Sequence, residues 1–449
     1  MITSPQPGSP FDYLIGPGGR LTGRVRVPGD KSISHRCVML GALANGQTKV
    51  SGLLEGEDVL STLAAFRAMG VEAEGPYHGA LQIRGVGLRG LRAPAGPLDM
   101  GNSGTAMRLM AGILSGQAFD SVLVGDESLS KRPMGRVAEP LSAMGALIET
   151  APGGRPPLRV HGGQRLRGID YRLPVPSAQV KSALLLAGLY AEGQTQVSEP
   201  APTRDHTERM LRGFGYPVES REGAIRLRGG GTLTGCAIDV PADISSAAFF
   251  LVGAAMTPGS DLVLEHVGVN PTRIGVLNIL RAMGAQIAMT GERMIGGEPV
   301  ADLHVAGGRL HGIAIPHDQV PLAIDEFPAL FIAAACAEGR TSLAGAAELR
   351  VKESDRIGVM AEGLSRLGVV VQETADGLVI EGGSGKRPLA GGEIDSHGDH
   401  RVAMAFSVAA LQAQGPIRVR DCRNVATSFP GFTALAGGAG LAIRAVAPD

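Results

Sequence analysis

The clearest pattern along the chain is a repeated amphipathic helix that ends at a glycine and is followed by residues typical of a β-strand. The copies end at Gly70, Gly145, Gly215, Gly284, Gly368 and Gly440. Their spacing of roughly 70 to 85 residues is too long for a solenoid repeat and long enough for a small βαβ-type unit. At each copy, glycine is expected to adopt the left-handed conformation that closes a helix.

Between these helices lies a second set, which is apolar on nearly every side and opens with polar or capping residues. These helices are predicted to begin near Lys31, Ser103, Ser177, Ser245, Asp325 and Asp399. A helix that is apolar all round must be surrounded by other elements. The pattern therefore predicts an α/β protein of six similar units, each wrapped around one buried helix.

Six units in 449 residues divide naturally into two domains of three, since single cores stop growing at about 250 to 300 residues. The break falls near residues 239–242. We predict a discontinuous first domain of residues 1–29 and 241–449, and a second domain of residues 30–240. The strand-like residues 21–27 fit either domain on this pattern, and we assign them to the first.

The composition of the chain argues against nucleic acid and membranes as partners. The 42 basic and 43 acidic residues give no overall field to hold nucleic acid, so we expect none. The apolar stretches 245–255 and 329–337 are shorter than the roughly 18 residues that span a bilayer, and they are predicted to be buried helices. With 44% hydrophobic and 19% charged residues, the chain has the composition of a globular protein.

The cysteines and the first residues indicate a compartment. The four cysteines lie far apart and form no Cys-x-x-Cys pair, which is typical of buried thiols in a reducing environment. Residues 1–10 have neither the basic start nor the apolar run of a signal peptide, and their prolines and glycine predict a loose tail. We expect a cytoplasmic protein.

Basic residues recur where the buried helices begin. Lys31, Ser32 and Arg36 occupy the first turns of the first buried helix, and residues 101–108 open the second with a turn of small residues. Further cations at such positions are Lys131, Arg132, Arg204, Lys352, Arg356 and Arg401. A single basic residue on a helix is usually solvated, but helix N-termini also favour anions. Recurrence at these positions indicates an anion site.

Eight motifs together give the chain a resemblance to a known family. They are GDKSISHR at 29–36, GNSGTAMR at 101–108, KRPMGR at 131–136, SAQVK at 177–181, RDHTE at 204–208, NPTR at 270–273, RVKESDR at 350–356 and GDHR at 398–401. In this order, over residues 21–429, they resemble the 5-enolpyruvylshikimate-3-phosphate synthase family, and especially its branch with glyphosate-tolerant members.

The resemblance implies two domains, each of three inverse βαβαββ units, with the active site in the interdomain cleft. It also implies two sets of binding residues. Those for phosphoenolpyruvate are Lys31, Gly104, Arg132, Gln179, Arg356 and Arg401. Those for shikimate-3-phosphate are Lys31, Ser32, Arg36, Ser177, Ala178, Gln179, Arg204, Asp325 and Lys352.

The implied reaction is an addition followed by an elimination. The 5-hydroxyl of shikimate-3-phosphate attacks the central carbon of phosphoenolpyruvate while its methylene is protonated, and phosphate then leaves. Such proton transfers need positioned groups, and the candidates are Asp325, Glu353 and Lys31, whose individual roles stay open. Arginine and lysine can neutralise both anions, so we expect no metal and no cofactor. We also expect a monomer.

The chain departs from the family at Leu109, where many members have proline, and at Thr427, where many have lysine. The second departure leaves open which group contacts the leaving phosphate. Resemblance to the tolerant branch implies tolerance of glyphosate, but tolerant members typically have alanine where this chain has Gly104. Because glycine leaves open the space that the methyl would fill, we give this residue more weight and expect inhibition by glyphosate.

Three alternatives stand beside this interpretation. A UDP-N-acetylglucosamine enolpyruvyl transferase usually has a cysteine where this chain has Glu127. A non-catalytic anion-binding protein would lack the carboxylates Asp325 and Glu353. A metal site could use His397, Asp399 and His400, although three close residues more often form a polar turn.

Overall fold

A computed structural model describes residues 11–221, 223–383 and 387–448; residues 1–10, predicted as a loose tail, lie outside them. The helices are α1 (Lys31–Leu43), α2 (Glu57–Ala68), α3 (Gly104–Leu114), α4 (Glu127–Ser130), α5 (Gly135–Ala143), α6 (Ala178–Gly188), α7 (His206–Gly213), α8 (Ile244–Ala255), α9 (Gly275–Ala282), α10 (Phe327–Ala335), α11 (Arg356–Arg366), α12 (His400–Ala409) and α13 (Phe432–Ala439).

Short strands occupy most of the chain between the helices. They are β1 (Asp12–Ile15), β2 (Thr22–Val25), β3 (Asn45–Ser51), β4 (Glu72–Tyr77), β5 (Ala80–Val86), β6 (Leu98–Asp99), β7 (Ser121–Val124), β8 (Leu147–Ala151), β9 (Arg155–His161), β10 (Asp170–Arg172), β11 (Gln194–Ser198), β12 (Glu219–Arg221), β13 (Ala224–Arg228), β14 (Ala237–Asp239), β15 (Asp261–Gly268), β16 (Gln286–Ile295), β17 (Glu298–Ala306), β18 (Gly339–Ser342), β19 (Val370–Thr374), β20 (Gly377–Gly382), β21 (Gly392–Asp395), β22 (Ile417–Arg420) and β23 (Ile443–Val446).

The chain divides into two compact units. Unit 1 comprises Met1–Pro28, Ala242–Arg293 and Pro299–Asp449, and unit 2 comprises Gly29–Pro241 and Met294–Glu298. The division expected from the sequence assigned Gly29, Pro241 and residues 294–298 to the other domain. Residues 294–298 join unit 2 because they form the tip of the long β16–β17 pair. The apolar pattern of a strand carries no information about where such a tip packs.

Unit 2 contains three four-stranded sheets, in the strand orders β14-β3-β5-β4, β6-β7-β9-β8 and β10-β11-β13-β12. Each combines one parallel pair with antiparallel neighbours, as where Ile238 lies opposite Val50 in parallel and Thr48 lies opposite Ile83 in antiparallel register. The helices α1, α3 and α6 are buried among these sheets and share one hydrophobic core.

Unit 1 repeats this arrangement with the sheets β16-β17-β15-β2, β18-β20-β19 and β21-β22-β1-β23. In the three-stranded sheet, an isolated parallel bridge between Ala314 and Ser342 lies beside β18. The buried helices are α8, α10 and α12. Because β2 pairs with β15, the strand at residues 21–27 belongs to unit 1. The predicted six-unit α/β fold is confirmed.

The same local chemistry begins and ends these helices. Every residue of α8 is buried, and the Asp243 side chain before it accepts a hydrogen bond from the Ser245 N–H. The residues that close the outer helices are the six predicted glycines, which all have positive φ, from 79° at Gly215 to 117° at Gly440. Glycine adopts this conformation without steric cost, which explains its recurrence. No helix in the described residues is long and apolar enough to cross a membrane.

Candidate active site

The residues predicted for unit 2 gather at the N-terminal ends of its three buried helices. Side-chain oxygens of Asp30, Ser103 and Ser177 cap α1, α3 and α6. Hydrogen bonds tie these ends together: Gln179 Nε2 of α6 donates to Thr105 Oγ1 of α3 at 2.9 Å. Adjacent helix N-termini give this part of unit 2 a positive potential, which suits an anion.

Arg36 is the most deeply placed of these cations, with 4% of its surface exposed. Its Nε donates to Thr207 Oγ1 at 2.7 Å, Nη1 to the Ser32 carbonyl at 2.8 Å and Nη2 to Ser182 Oγ at 2.9 Å. All three acceptors are uncharged. Burial therefore lowers the pKa of Arg36 to about 10, although the charge of Glu208 acts in the opposite direction.

Gly104 lies within reach of two arginines. A Cβ at this position would be 3.0 Å from Arg108 Nη1 and 3.3 Å from Arg132 Nη1. Arg132 Nη2 donates to Asn102 Oδ1 at 2.6 Å, which fixes its guanidinium at the start of α3. The structure therefore brings the predicted Gly104 and Arg132 together, and the bare glycine leaves their N–H groups accessible to a ligand.

Sequence reasoning missed Arg108. Its Nη1 donates to Gln179 Oε1 and its Nη2 to the Pro133 carbonyl at 3.1 Å, so it connects α3, α6 and the segment after Arg132. Its spacing in the sequence could have predicted it. Arg108 lies four residues after Gly104, which places both residues on one face of α3.

The remaining predicted residues of unit 2 lie beside this group. Lys31 Nζ forms an ion pair of 2.8 Å with Asp58, a partner that the sequence did not predict. Ser177 and Ala178 are half-buried at the start of α6. Arg204, also half-buried, precedes α7 by two residues. Unit 2 thus holds nine of the predicted residues: Lys31, Ser32, Arg36, Gly104, Arg132, Ser177, Ala178, Gln179 and Arg204.

In unit 1, the predicted residues surround Arg356, whose side chain is fully buried. Its Nη2 donates to Glu353 Oε2 at 2.6 Å, its Nη1 to Asp325 Oδ1 at 3.4 Å and its Nε to Asp399 Oδ2 at 2.8 Å. Burial alone would lower the pKa of Arg356, but the charges of Asp399, Glu353 and Asp325 raise it above its usual value.

Asp325 connects the other two predicted cations to this cluster. Lys352 Nζ lies 3.4 Å from Asp325 Oδ1, and Arg401 Nη1 donates to the Asp325 carbonyl at 3.0 Å. The short 3-10 helix Ala347–Val351 ends immediately before Lys352 and delivers it to this position. The structure therefore brings together all five residues predicted for this unit.

Asp399 is a central residue that sequence reasoning treated as part of a polar turn. It is fully buried, it pairs with Arg356, and its Oδ1 accepts the Arg401 N–H at 2.9 Å as the cap of α12. Burial would raise its pKa, but the Arg356 charge lowers it below the usual value. Its place just before an apolar helix was the available signal.

The two departures from the family are accommodated without a cation. Leu109 is fully buried inside α3. Thr427 is 5% exposed, and its Oγ1 donates to the Asn424 carbonyl at 2.7 Å. Glu127 lies on the surface, where it pairs with Lys131 at 2.6 Å. Among the described residues, no group of three or more His, Cys, Asp or Glu side chains could hold a metal.

These two clusters differ in what they can do. The unit 2 cluster presents cations and helix N-termini, which bind phosphate and carboxylate groups. The unit 1 cluster adds two carboxylates, Asp325 and Glu353, that share one arginine. Positioned carboxylates of this kind can accept or donate protons. The unit 2 cluster is thus suited to binding anions, and the unit 1 cluster to proton transfer beside cations.

Comparison with known proteins places these observations in a family. A family model described as EPSP synthase (3-phosphoshikimate 1-carboxyvinyltransferase) matches residues 15–435. The chain is 66% identical over 433 residues to the 3-phosphoshikimate 1-carboxyvinyltransferase of Nitrosococcus oceani, with 96% of each covered. It is 64% identical over 432 residues to that of Methylococcus capsulatus, covering 96% of this chain and 98% of the relative.

Solved structures agree. The EPSP synthase of Acinetobacter baumannii superposes with a TM-score of 0.88 at 60% identity, covering 97% of this chain and all (100%) of the other. The enolpyruvyl transferase NikO from Streptomyces tendae superposes with a TM-score of 0.79 at 17% identity, covering 98% and 100%. At that identity the second likeness shows the fold alone.

Proposed function

Because this chain belongs to the EPSP synthase (3-phosphoshikimate 1-carboxyvinyltransferase) family, we propose that its two clusters act on the same two substrates. The chain catalyses the reaction of that family: it transfers the enolpyruvyl group of phosphoenolpyruvate to the 5-hydroxyl of shikimate-3-phosphate and releases phosphate, in the shikimate pathway to aromatic amino acids. Transfer to UDP-N-acetylglucosamine and a non-catalytic role, the alternatives considered above, are wrong.

The phosphoenolpyruvate site uses cations of both units in this proposal. Gly104, Gln179 and Lys31 of unit 2 lie in the first turns of α3, α6 and α1, and Arg132 bonds to Asn102 just before α3. In unit 1, Arg356 and Arg401 lie beside Asp325. Arginine binds carboxylate and phosphate through two parallel N–H groups, and a helix N-terminus adds a favourable dipole. The closeness of Arg108 and Arg132 to the position that a Cβ would take at Gly104 supports this assignment.

For shikimate-3-phosphate, the proposed contacts lie mainly on unit 2. They are Lys31, Ser32, Arg36, Ser177, Ala178, Gln179 and Arg204, with Asp325 and Lys352 from unit 1. Arg36 is suited to a fixed anionic group, because three hydrogen bonds hold its guanidinium in place. A side chain that is already ordered loses little entropy when it binds.

The observation that carries the mechanism is that one buried arginine, Arg356, bonds to both Asp325 and Glu353. We assign Asp325 as the base that accepts the proton of the 5-hydroxyl. Glu353 gives a proton to the methylene of phosphoenolpyruvate in the addition and takes one back in the elimination. Lys31 is a further candidate for proton transfer. Arg356 orients both carboxylates, while the surrounding cations stabilise negative charge on the intermediate.

Finer properties are also part of the proposal. We propose a cytoplasmic monomer that uses two small-molecule substrates, without nucleic acid, membrane, metal or cofactor. The compartment is supported by the four cysteines, each of which carries a free thiol, with Cys37 and Cys422 buried.

The decisive experiment mixes the purified chain with phosphoenolpyruvate and shikimate-3-phosphate and measures phosphate release in the presence of a metal chelator. We expect release that requires both substrates and resists the chelator. Each substrate alone is the control, and UDP-N-acetylglucosamine tests the alternative acceptor. A folded chain that releases no phosphate would contradict the assigned activity, and release abolished by the chelator would contradict the metal-free mechanism.

A further inference from the structure

A buried lysine in unit 2 has no part in the mechanism described so far. Lys181 lies on α6, and only 1% of its side chain is exposed. Its Nζ is 2.9 Å from Glu208 Oε1 and 3.1 Å from Glu199 Oε2, whose side chains are 1% and 8% exposed. Burying three charged groups is costly unless they serve one another or a function. The positions of Glu199 and Glu208 indicate that the three charges serve a function.

Glu199 holds the residue before Arg204. Its Oε2 accepts the Thr203 hydroxyl at 2.6 Å and its Oε1 accepts the Thr203 N–H at 3.1 Å, while Lys181 Nζ reaches the Thr203 carbonyl at 3.4 Å. Thr203 is therefore fixed through its side chain and both of its backbone polar groups. The peptide that carries Arg204 starts from this fixed point.

Glu208 follows in sequence the residue that orients Arg36. It adjoins Thr207, whose Oγ1 accepts from Arg36 Nε at 2.7 Å and donates to Ser182 Oγ at 2.8 Å. Ser182 is the neighbour of Lys181 on α6 and the second acceptor of Arg36. The negative charge of Glu208 also acts on Arg36 through space and raises its pKa against the larger effect of burial.

We propose that Lys181, Glu199 and Glu208 form a positioning group for the shikimate-3-phosphate site. The lysine draws the two carboxylates together, and each carboxylate fixes one end of the segment 203–208, so that Arg204 and Arg36 are held ready for the same ligand. With Arg36, the group contains two cations and two anions, so the buried charges balance. This inference rests on the proposed assignment of Arg36 and Arg204 to shikimate-3-phosphate.

The test compares Glu208→Gln and Glu199→Gln, which keep side-chain size and remove one charge. We expect the KM for shikimate-3-phosphate to rise about tenfold or more, because a charged partner is lost from a buried pair. The KM for phosphoenolpyruvate and kcat should change by less than about threefold. Lys181→Arg, which keeps the cation, should stay closer to wild type than Lys181→Met.

A control is Asp12→Asn, which removes the carboxylate of a partly buried ion pair in unit 1, where Asp12 (5% exposed) meets Arg418 (19% exposed) at 2.9 Å. It should lower thermal stability without changing either KM. Equal changes in both KM values, a loss confined to kcat, or loss of the folded state in all the cluster variants would overturn the positioning role and leave only a structural one.

Arg36→Lys separates this inference from the proposal beneath it. If Arg36→Lys raises the KM for shikimate-3-phosphate and the glutamate variants do not, only the positioning role is wrong. If Arg36→Lys changes the KM for phosphoenolpyruvate instead, the assignment of Arg36 itself is wrong.

Discussion

Two buried arginines, Arg36 in unit 2 and Arg356 in unit 1, have opposite electrostatic surroundings. Arg36 is held by two hydroxyls and a carbonyl, and burial lowers its pKa to about 10. Arg356 is held by three carboxylates, and its pKa is raised. The same residue type thus has uncharged hydrogen-bond acceptors in one unit and three carboxylate acceptors in the other.

This difference indicates that one arginine serves substrate binding and the other serves proton transfer. A guanidinium with uncharged partners keeps its charge available for a substrate anion, so the Arg36 region is organised for binding. A guanidinium among carboxylates holds them in a fixed orientation, so the Arg356 region is organised for proton transfer. Variants that remove one partner of either arginine test this distinction.

The largest effect is expected for Asp399→Asn, which leaves Arg356 with a neutral partner. Removing one member of a buried ion pair costs about 3–5 kcal/mol of the free energy of unfolding. Urea unfolding followed by circular dichroism measures it, with the surface variant Glu362→Gln as control, since Glu362 pairs with Arg366 at about half exposure. A loss no larger than that of the control would contradict the role of Asp399.

The free energy of unfolding that is lost in Asp399→Asn should also depend on pH. The pKa of Asp399 is lowered in the folded protein, so the unfolded chain takes up the proton first as pH falls. The stabilisation is fully present above the unfolded pKa of about 3.9 and disappears as pH falls through the folded pKa. The difference between wild type and Asp399→Asn should therefore be constant near neutrality and shrink in acid; a difference that grows in acid would reverse this account.

The next effect concerns turnover. Asp325→Asn and Glu353→Gln keep the shape of each side chain and remove its ability to exchange a proton. We expect kcat to fall by about a hundredfold or more in each, with shikimate-3-phosphate binding largely intact. Steady-state kinetics and calorimetric titration measure the two quantities. Near wild-type turnover in both variants would reject proton transfer as the task of the Arg356 region.

A smaller effect is expected for Arg132→Ala, which removes one charge-assisted contact with phosphoenolpyruvate. Such a contact is worth roughly 1.5–3 kcal/mol, so the affinity should fall about ten- to a hundredfold, with little change for shikimate-3-phosphate. The adjacent Lys131→Ala is the matched control, because Lys131 is 68% exposed and pairs with Glu127. Equal losses for both ligands would reject the proposed partition of the site.

The smallest effect concerns Gly104→Ala and glyphosate. The new methyl would press on the ends of Arg108 and Arg132 at 3.0 and 3.3 Å, and such flexible ends can shift by a few tenths of an ångström. We expect glyphosate to inhibit wild type in competition with phosphoenolpyruvate. Its inhibition constant should rise about three- to tenfold in the variant, more than kcat/KM falls.

Gly96→Ala is the control for this substitution, because a methyl there meets no atom within 4 Å. A wild-type enzyme already as insensitive to glyphosate as Gly104→Ala would show that other residues set the response.

Periodicity predicted the fold because the same rule applies in every unit. Each buried helix is apolar on all sides, and each outer helix needs glycine at one left-handed position, as at Gly145 with φ of 100°. The ends of the buried helices could be placed because caps such as Ser103 and Asp399 are local features. Helix caps and closing glycines depend only on residues that are neighbours in the sequence, so they can be recognised without the structure.

The partners of the site residues could not be predicted in this way. Lys31 pairs with Asp58 and Arg356 with Asp399, at sequence separations of 27 and 43 residues. Nothing in the local pattern around Lys181 shows that this lysine is buried between two glutamates. Partner choice depends on how the units pack, and only the fold brings such residues together.

The pairing of β1 has a consequence for the order of events during protein synthesis. Tyr13 lies opposite Val419 of β22 and Ala445 of β23, so both partners of this strand are made long after it. At about 5–20 residues per second, the ribosome needs roughly 20 to 80 s to reach them. Throughout that interval Tyr13 and Ile15, which are 4% and 0% exposed in the finished fold, lack their partners. Only a chain synthesised past Val446 can complete this sheet, so β1 stays without its partner strands until β22 and β23 have both been made.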